Sequence, residues 1–280
     1  MKRVMFAACL STALLPVTAL AQLELPSPSP AAKAMQRVGL TDITVEYSSP
    51  AVKGRKIWGE LVPYDKVWRT GANAATKITF SKDVTFGGKP VPAGTYSVVT
   101  FPTASGWTLA LSKELTWFAG GKEYSDKDDV VRVPATTAEI PLRERLIFTF
   151  SNTTDDTTSL DLEWEKLRVS VPVKTDTTPQ VMANIKALTD NGWRPHFQAA
   201  RWLAENTKEY DQALKYVDAS IMIQSTWLNN WTRADILSKK GKWADAKKAA
   251  QVAWDLGNKD PNFYLKDTVA KAMADWKSKK

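Results

Sequence analysis

The chain has 280 residues and a formal net charge of +8 at pH 7. A length of this order normally provides one large domain or two ordinary ones, each with its own hydrophobic core. Cys9 is the only cysteine. An intrachain disulfide and a zinc site built from several thiolates are therefore excluded.

Residues 1–21 have the pattern of a cleaved signal peptide. Two cations precede an apolar stretch at 4–20, which ends in the small-x-small motif Ala19-Leu20-Ala21. The uninterrupted apolar runs are too short for an anchor that must span about 30 Å of hydrocarbon. We therefore expect export to the periplasm, the cell envelope or the extracellular space. Cleavage would also remove Cys9 and leave a mature chain without a thiol.

The excess positive charge lies in one half of the chain. Residues 22–173 carry 18 Lys and Arg against 18 Asp and Glu, whereas residues 174–280 carry 18 against 12. Because an exported protein rarely meets nucleic acid, we expect no nucleic-acid partner. The basic half favours a protein, a peptide or an anionic envelope polymer as partner, and greater solubility is the alternative explanation.

A Pro- and Ser-rich lead-in at 22–30 precedes a region, 31–173, with a period of two. In chain order, alternation predicts strands within 42–47, 77–80, 95–99, 107–111 and 145–172. In the last of these we expect three strands, separated by a polar loop at 152–158 and by a tight connection after Glu165. Many short strands without intervening helical patterns predict an all-β antiparallel sandwich.

A polar linker at 174–179 leads into a region of helical periodicity, 180–280. Helices are predicted at 181–190, 194–206, 209–223, 227–240, 243–256 and 262–277. Two segments repeat at a spacing of 33, so that Tyr210 and Ala213 superpose on Trp243 and Ala246. This pattern is similar to the tetratricopeptide repeat, and it predicts an all-α tetratricopeptide-like domain after the sandwich. A generic helical bundle is the alternative.

Motifs for catalysis or metal binding are lacking. His196 is the one histidine, and we interpret it as structural because it lies where a helix begins. The acidic loops at 126–129 and 155–156 lack the spacing of a calcium-binding loop, and no phosphate loop or nucleophile elbow occurs. We expect no cofactor and no metal. A hydrolase or carbohydrate-active enzyme with two carboxylates stays open, since such acids need be close only in space.

The segment 47–76 departs from the regular alternation. Long structured connections of this kind are often functional. Its aromatic residues offer flat faces for a sugar or an aromatic ring, and its cations offer donors for a carboxylate, sulfate or phosphate. The candidate ligand-binding residues are Lys53, Arg55, Trp58, Tyr64, Trp68, Arg69 and Asn73. The alternative is a structural cover for one end of the sandwich, with the tryptophans in its core.

The same segment resembles a family of exported bacterial proteins known as domain of unknown function twenty-nine-eleven. The matching motifs occur in order over roughly residues 27–172: Val52-Lys53-Gly54-Arg55, Leu61-Val62-Pro63-Tyr64, Val67 to Asn73, Pro92 to Ser97, and Trp107. Ser49 and Ala51 stand here where the family often has Arg and Gly. The resemblance implies a signal peptide, and some members append tetratricopeptide-like helices. It implies no activity.

These observations favour a non-enzymatic envelope protein that binds a ligand or another protein. The expected partners are a protein, a peptide or an anionic envelope polymer, and a saccharide is a further candidate. The carboxylate-dependent enzyme is the second hypothesis. A structural role in assembling a larger complex is the third.

Overall fold

The computed structural model describes residues 25–187 and 192–279. The chain divides into two compact units between Thr175 and Asp176. The first unit is built from strands and the second from helices, which confirms the predicted order of fold classes. The signal peptide predicted at 1–21 lies outside the described residues. No helix in the described ranges is both long and apolar enough to cross a membrane.

Within the described residues the β unit is one nine-stranded antiparallel sheet. Its strands are β1 (Ala31–Val38), β2 (Thr41–Ser48), β3 (Lys77–Phe80), β4 (Val84–Phe86), β5 (Lys89–Val91), β6 (Gly94–Pro102), β7 (Trp107–Ser112), β8 (Asp129–Ser151) and β9 (Thr157–Thr175). The order across the sheet is β1-β2-β3-β6-β7-β8-β9-β4-β5. Strand β8 pairs with β7 up to Ala135 and with β9 from Thr136 onward, so it joins the two halves of the sheet.

One hydrophobic core lies between the two halves of this sheet. The alternation of apolar side chains turns Ile43 of β2, Leu109 of β7 and Val171 of β9 inward, and all three belong to the same buried cluster. Because each half has one apolar face, packing the halves together removes both faces from water. The predicted antiparallel β-fold is confirmed, with its layers joined through β8.

Strand β9 corrects the prediction of a third strand after Glu165. The strand runs unbroken from Thr157 to Thr175, and Glu165 has a φ of 56° where a connection was expected. The register between β8 and β9 shifts on both sides of this residue. The extra residues lie on β8, and the left-handed backbone of Glu165 changes which residues of β9 face inward. The inward positions accordingly change from even numbers, such as Trp164, to odd numbers, such as Val169.

Two acids and two arginines lie close together beside Glu165. Glu163 Oε1 accepts hydrogen bonds from Arg168 Nη2 and Nε at 2.5 and 2.8 Å, and Oε2 accepts one from Arg143 Nη2 at 2.8 Å. Asp161 Oδ1 accepts one from Ser170 Oγ at 2.6 Å. Both carboxylates are at most 3% exposed. Arg143 of β8 and Arg168 of β9 therefore both pair with the buried carboxylate of Glu163.

Six helices are described, one for each helix that the sequence predicted. They are α1 (Thr177–Lys186), α2 (Trp193–Trp202), α3 (Tyr210–Ile223), α4 (Trp227–Lys239), α5 (Trp243–Gly257) and α6 (Lys266–Asp275). Pro179 lies in the first turn of α1, where a missing N–H costs nothing. Because β9 ends at Thr175, the connection is shorter than the linker predicted at 174–179. The expected end of the first helix, at 188–190, lies outside the described residues.

The repeat of period 33 corresponds to two helix pairs with matching turns. Lys208 lies between α2 and α3 with a φ of 59°, and Gly241 lies between α4 and α5 with a φ of 71°. Ala213 and Ala246, the small residues one turn into α3 and α5, are both fully buried. A small side chain at this position lets the paired helices approach closely. Assignment to the tetratricopeptide class stays a prediction.

We expect Glu163→Gln to lower the free energy of unfolding of the β unit by about 2 kcal/mol, since it weakens charge-assisted hydrogen bonds to two arginines. Glu139→Gln is the matched control, because Glu139 is an exposed acid on β8 and should change stability by less than about 0.5 kcal/mol. Urea denaturation followed by circular dichroism measures both. Equal effects of the two substitutions would contradict the assigned role of Glu163.

The same carboxylate predicts a pH dependence. Burial alone would raise the pKa of Glu163, but the hydrogen bonds from Arg168 and Arg143 outweigh it and hold this pKa below its ordinary value. A depressed pKa contributes stability above the unfolded pKa of about 4.3 and loses it as the pH falls through the folded pKa. The difference in unfolding free energy between wild type and Glu163→Gln should therefore shrink as the pH drops below about 4. A difference that is constant with pH would refute this.

Candidate functional site

The connection between β2 and β3, residues 49–76, is long and irregular, and we call it the site loop. It is nevertheless fixed to the sheet. Trp68 exchanges two backbone hydrogen bonds with Thr100 of β6, at 2.8 and 3.0 Å. Thr70 Oγ1 lies 3.0 Å from Thr100 Oγ1, and the Thr70 carbonyl accepts a hydrogen bond from Thr76 Oγ1 at 2.7 Å. The loop is thus a braced structure.

Two tryptophans of the site loop join two from the sheet. Trp58 meets Trp68, Trp107 and Trp164 edge to face, with ring centroids 5.1–5.9 Å apart. Trp68 and Trp164 are nearly parallel, at an angle of 17° and a centroid distance of 6.0 Å. Aromatic pairs of this kind contribute about 0.5–1.5 kcal/mol each beyond their buried area. The cluster therefore closes this end of the core. This agrees with the alternative interpretation, in which the tryptophans of the site loop cover one end of the sandwich.

A cleft of about 330 Å³ opens beside the tryptophan cluster. It brings together four of the predicted residues, Arg55, Trp68, Arg69 and Asn73, with Trp164 of β9. The other residues that line it are Ser29, Pro50, Leu61, Val62, Gly71 and Ala72. None of these described residues is an acid. A cleft of this size lies at the lower end of the range for small-molecule sites.

The two arginines of the cleft are positioned by backbone carbonyls. Arg55 Nη2 and Nε donate to the carbonyls of Ala51 and Val52, at 2.5 and 3.0 Å. Arg69 Nη1 donates to the carbonyl of Asn73 at 2.9 Å. Neither guanidinium forms an ion pair with any described residue. The cleft consequently carries positive charge that no neighbouring acid neutralises.

The lead-in forms one side of the cleft. Three successive carbonyls, at residues 28–30, accept hydrogen bonds from Arg145 Nη1, Asn73 Nδ2 and the Ser49 amide, at 3.4, 3.1 and 2.8 Å. Asn73 Nδ2 also lies 3.3 Å from Ser48 Oγ. Asn73 therefore lines the cleft and fixes its wall at the same time. The sequence indicated only an extended lead-in, because composition does not reveal where an extended segment binds.

Three predicted site residues do not line the cleft. Lys53 is exposed, and its backbone amide donates to Glu144 Oε1 at 2.9 Å. Tyr64 packs over Gly59, where an added Cβ would lie 3.0 Å from the tyrosine ring. Trp58 belongs to the tryptophan cluster. Conversely, sequence reasoning missed Trp164, since its place in an alternating strand marks it only as a core residue.

Two indole N–H groups in this region are buried without a partner. Trp164 Nε1 and Trp58 Nε1 make no hydrogen bond to any described residue. An unsatisfied buried donor costs about 1–3 kcal/mol. Such groups are rare in folded proteins, and each calls for an explanation.

The helical unit has a separate cleft of about 730 Å³ along α3. His196 lines it, with Nδ1 3.0 Å from the carbonyl of Gly192 and its ring 6.2 Å from the ring of Tyr216. Three lysines, Lys208, Lys215 and Lys240, and two acids, Glu209 and Asp211, also line it. A hydrogen bond from Lys240 holds the pKa of Asp211 below its ordinary range.

We expect Asn73→Gly to weaken the attachment of the lead-in to the site loop. Asn73 has a φ of 57°, which glycine also adopts, so the substitution removes the side-chain hydrogen bonds and leaves the backbone unstrained. Asn152→Gly is the matched control, since Asn152 is exposed with a φ of 52°. Hydrogen exchange should become faster in residues 25–31 of the first variant only. Unchanged exchange there would show that Asn73 does not hold the lead-in.

Residues 29–173, just over half of the chain, match the model of a family described as Protein of unknown function (DUF2911). The match includes the site loop and every strand of the β unit, and it confirms the resemblance seen in the sequence motifs. No curated protein and no solved structure matches the chain. The chain therefore belongs to the DUF2911 family.

Proposed function

We propose that this chain is an exported envelope protein whose β unit is a non-enzymatic binding module for a small ligand. The observation that carries the proposal is the convergence of Arg55, Trp68, Arg69 and Asn73 on one cleft. All four are among the seven ligand-binding candidates that residue chemistry predicts. The proposed export rests on the signal-peptide pattern of residues 1–21.

The construction of the cleft supports binding. The site loop is held by backbone pairing at Trp68 and by the buried hydroxyl of Thr70. Arg55 and Arg69 are already oriented by carbonyls. A site whose groups are fixed before the ligand arrives loses less conformational entropy on binding.

The carboxylate-dependent enzyme has no support in this cleft. Such enzymes need two acids flanking the scissile bond, one of them with a raised pKa. The described lining contains no Asp or Glu. The buried acid Glu163 is held by two arginines, which lower its pKa instead of raising it.

The helical unit is proposed as the second binding surface. Its sequence carries the whole excess of positive charge in the mature chain, and the cleft along α3 has three lysines against two acids, one of which, Asp211, pairs with Lys240. These features suit an acidic protein, a peptide or an anionic envelope polymer. Stacked helix pairs commonly present such extended surfaces.

A thermal-shift screen of the full chain tests the binding role of the β unit. The probes are monosaccharides, amino acids and aromatic acids, each measured with wild type, Arg69→Gln and Lys56→Gln. Lys56 is the matched control, since it lies in the site loop but pairs with Glu60 outside the cleft. A true ligand at about 100 times its Kd stabilises the fold by about 2.7 kcal/mol.

We expect that stabilisation in wild type and Lys56→Gln, and its loss in Arg69→Gln. Trp68→Ala should behave like Arg69→Gln if the variant still folds. No stabilising probe, or equal stabilisation of all variants, would count against the cleft as a binding site.

A further inference from the structure

Unpaired arginines are concentrated at the cleft. The described part of the β unit contains seven arginines. Four of them form ion pairs: Arg37, Arg132, Arg143 and Arg168. The three without an acidic partner are Arg55 and Arg69, which line the cleft, and Arg145, which donates to Pro28 and Ser49 beside it. The unit thus leaves its guanidinium charge uncompensated on one surface.

Donors in the cleft outnumber acceptors. Each guanidinium carries five N–H groups and no acceptor, and the carbonyls around Arg55 and Arg69 engage only part of them. Trp164 also lines the cleft, and its buried Nε1–H has no partner among the described residues. The side-chain acceptors of the lining are Asn73 and Ser29. A ligand that supplies acceptors and negative charge complements this arrangement.

The remaining lining is apolar and partly flat. Trp68 is half-buried, so part of its ring system stays accessible, and Leu61, Val62 and Pro50 complete this side. Burying apolar surface against such a wall contributes about 25 cal/mol for each Å² removed from water. A planar hydrocarbon group covers a tryptophan face more fully than a compact polar one.

We infer that the cleft binds a small oxyanion whose charged group is attached to a planar apolar body, such as an aromatic carboxylate or an aryl phosphate. The oxyanion accepts hydrogen bonds from Arg55 and Arg69, and the apolar body lies against Trp68 beside Trp164. This inference rests on the proposed binding function and names its ligand class. Carboxylate and phosphate share the chemistry that guanidinium groups recognise, and the experiment distinguishes them.

The test is a titration of the ¹⁵N-labelled full chain, followed through the indole N–H signals. The signal of Trp164 is assigned by its loss in Trp164→Phe. The probes are phenylacetate, phenyl phosphate and phenylacetamide, the last being the neutral counterpart of phenylacetate. We expect at least one oxyanion to shift the Trp164 signal and to bind about tenfold or more tightly than the amide, as a charge-assisted hydrogen bond requires.

The variants Arg55→Gln and Arg69→Gln should reduce the affinity for that oxyanion to the level of the amide and leave the amide unaffected. Lys56→Gln should change it by less than about twofold, since Lys56 lies outside the cleft. Retention of the other indole signals shows that each variant is folded. If one arginine variant fails to fold, the other still decides the outcome.

Three other outcomes would overturn the inference, and they separate it from the proposed function. If the amide binds as tightly as the acids, the cleft binds ligands but does not select oxyanions. If a chitin trisaccharide shifts the Trp164 signal and the oxyanions do not, the ligand is a neutral saccharide and the proposed function stands. If no probe shifts the signal, both the ligand class and the binding function fail.

Discussion

The irregularity of β9 at Glu165, where φ is 56° and the register with β8 shifts, is the constraint on which the candidate site depends. Before Glu165 the even-numbered residues of β9 face the core, and after it the odd-numbered residues do. Arg143 and Arg168 hold the buried carboxylate of Glu163 beside this point. Trp164 lies between that carboxylate and the bulge at Glu165. The indole of Trp164 packs against the tryptophans of the site loop, and the ionic cluster joins residues on both sides of Glu165. A straight strand would give Trp164 a different neighbour.

The tryptophan cluster and the cleft share two residues, Trp68 and Trp164. Trp58 and Trp107 seal the core, and Trp68 spans from the core to the cleft. The structural and functional interpretations of the site loop are therefore compatible. Arg55 and Arg69 differ from the four arginines of the β unit that form ion pairs, because carbonyls orient them and no described acid pairs with them.

Local patterns predicted much of this fold, and long-range pairing explains what they missed. Alternation identified the inward face at Trp107 and Leu109, and the 3.6-residue period identified the helices, because these signals depend on neighbouring residues. Residue chemistry predicted seven ligand-binding residues. Arg55, Trp68, Arg69 and Asn73 line the cleft, whereas Lys53, Trp58 and Tyr64 do not. The continuity of β9 through Glu165 depends on its pairing register with β8. The sequence of β9 alone does not reveal that register. The lead-in's place beside Asn73 is equally non-local.

In the proposed complex, Arg55 and Arg69 present uncompensated charge to an oxyanion beside Trp68. The most direct measurement is a crystal structure of the full chain soaked with the oxyanion probe that binds most tightly. We predict an oxyanion oxygen within hydrogen-bond distance of at least one of the two guanidinium groups, with the phenyl ring against Trp68. A probe bound elsewhere, or one whose ring enters the cleft while its charged group points to solvent, would contradict the account.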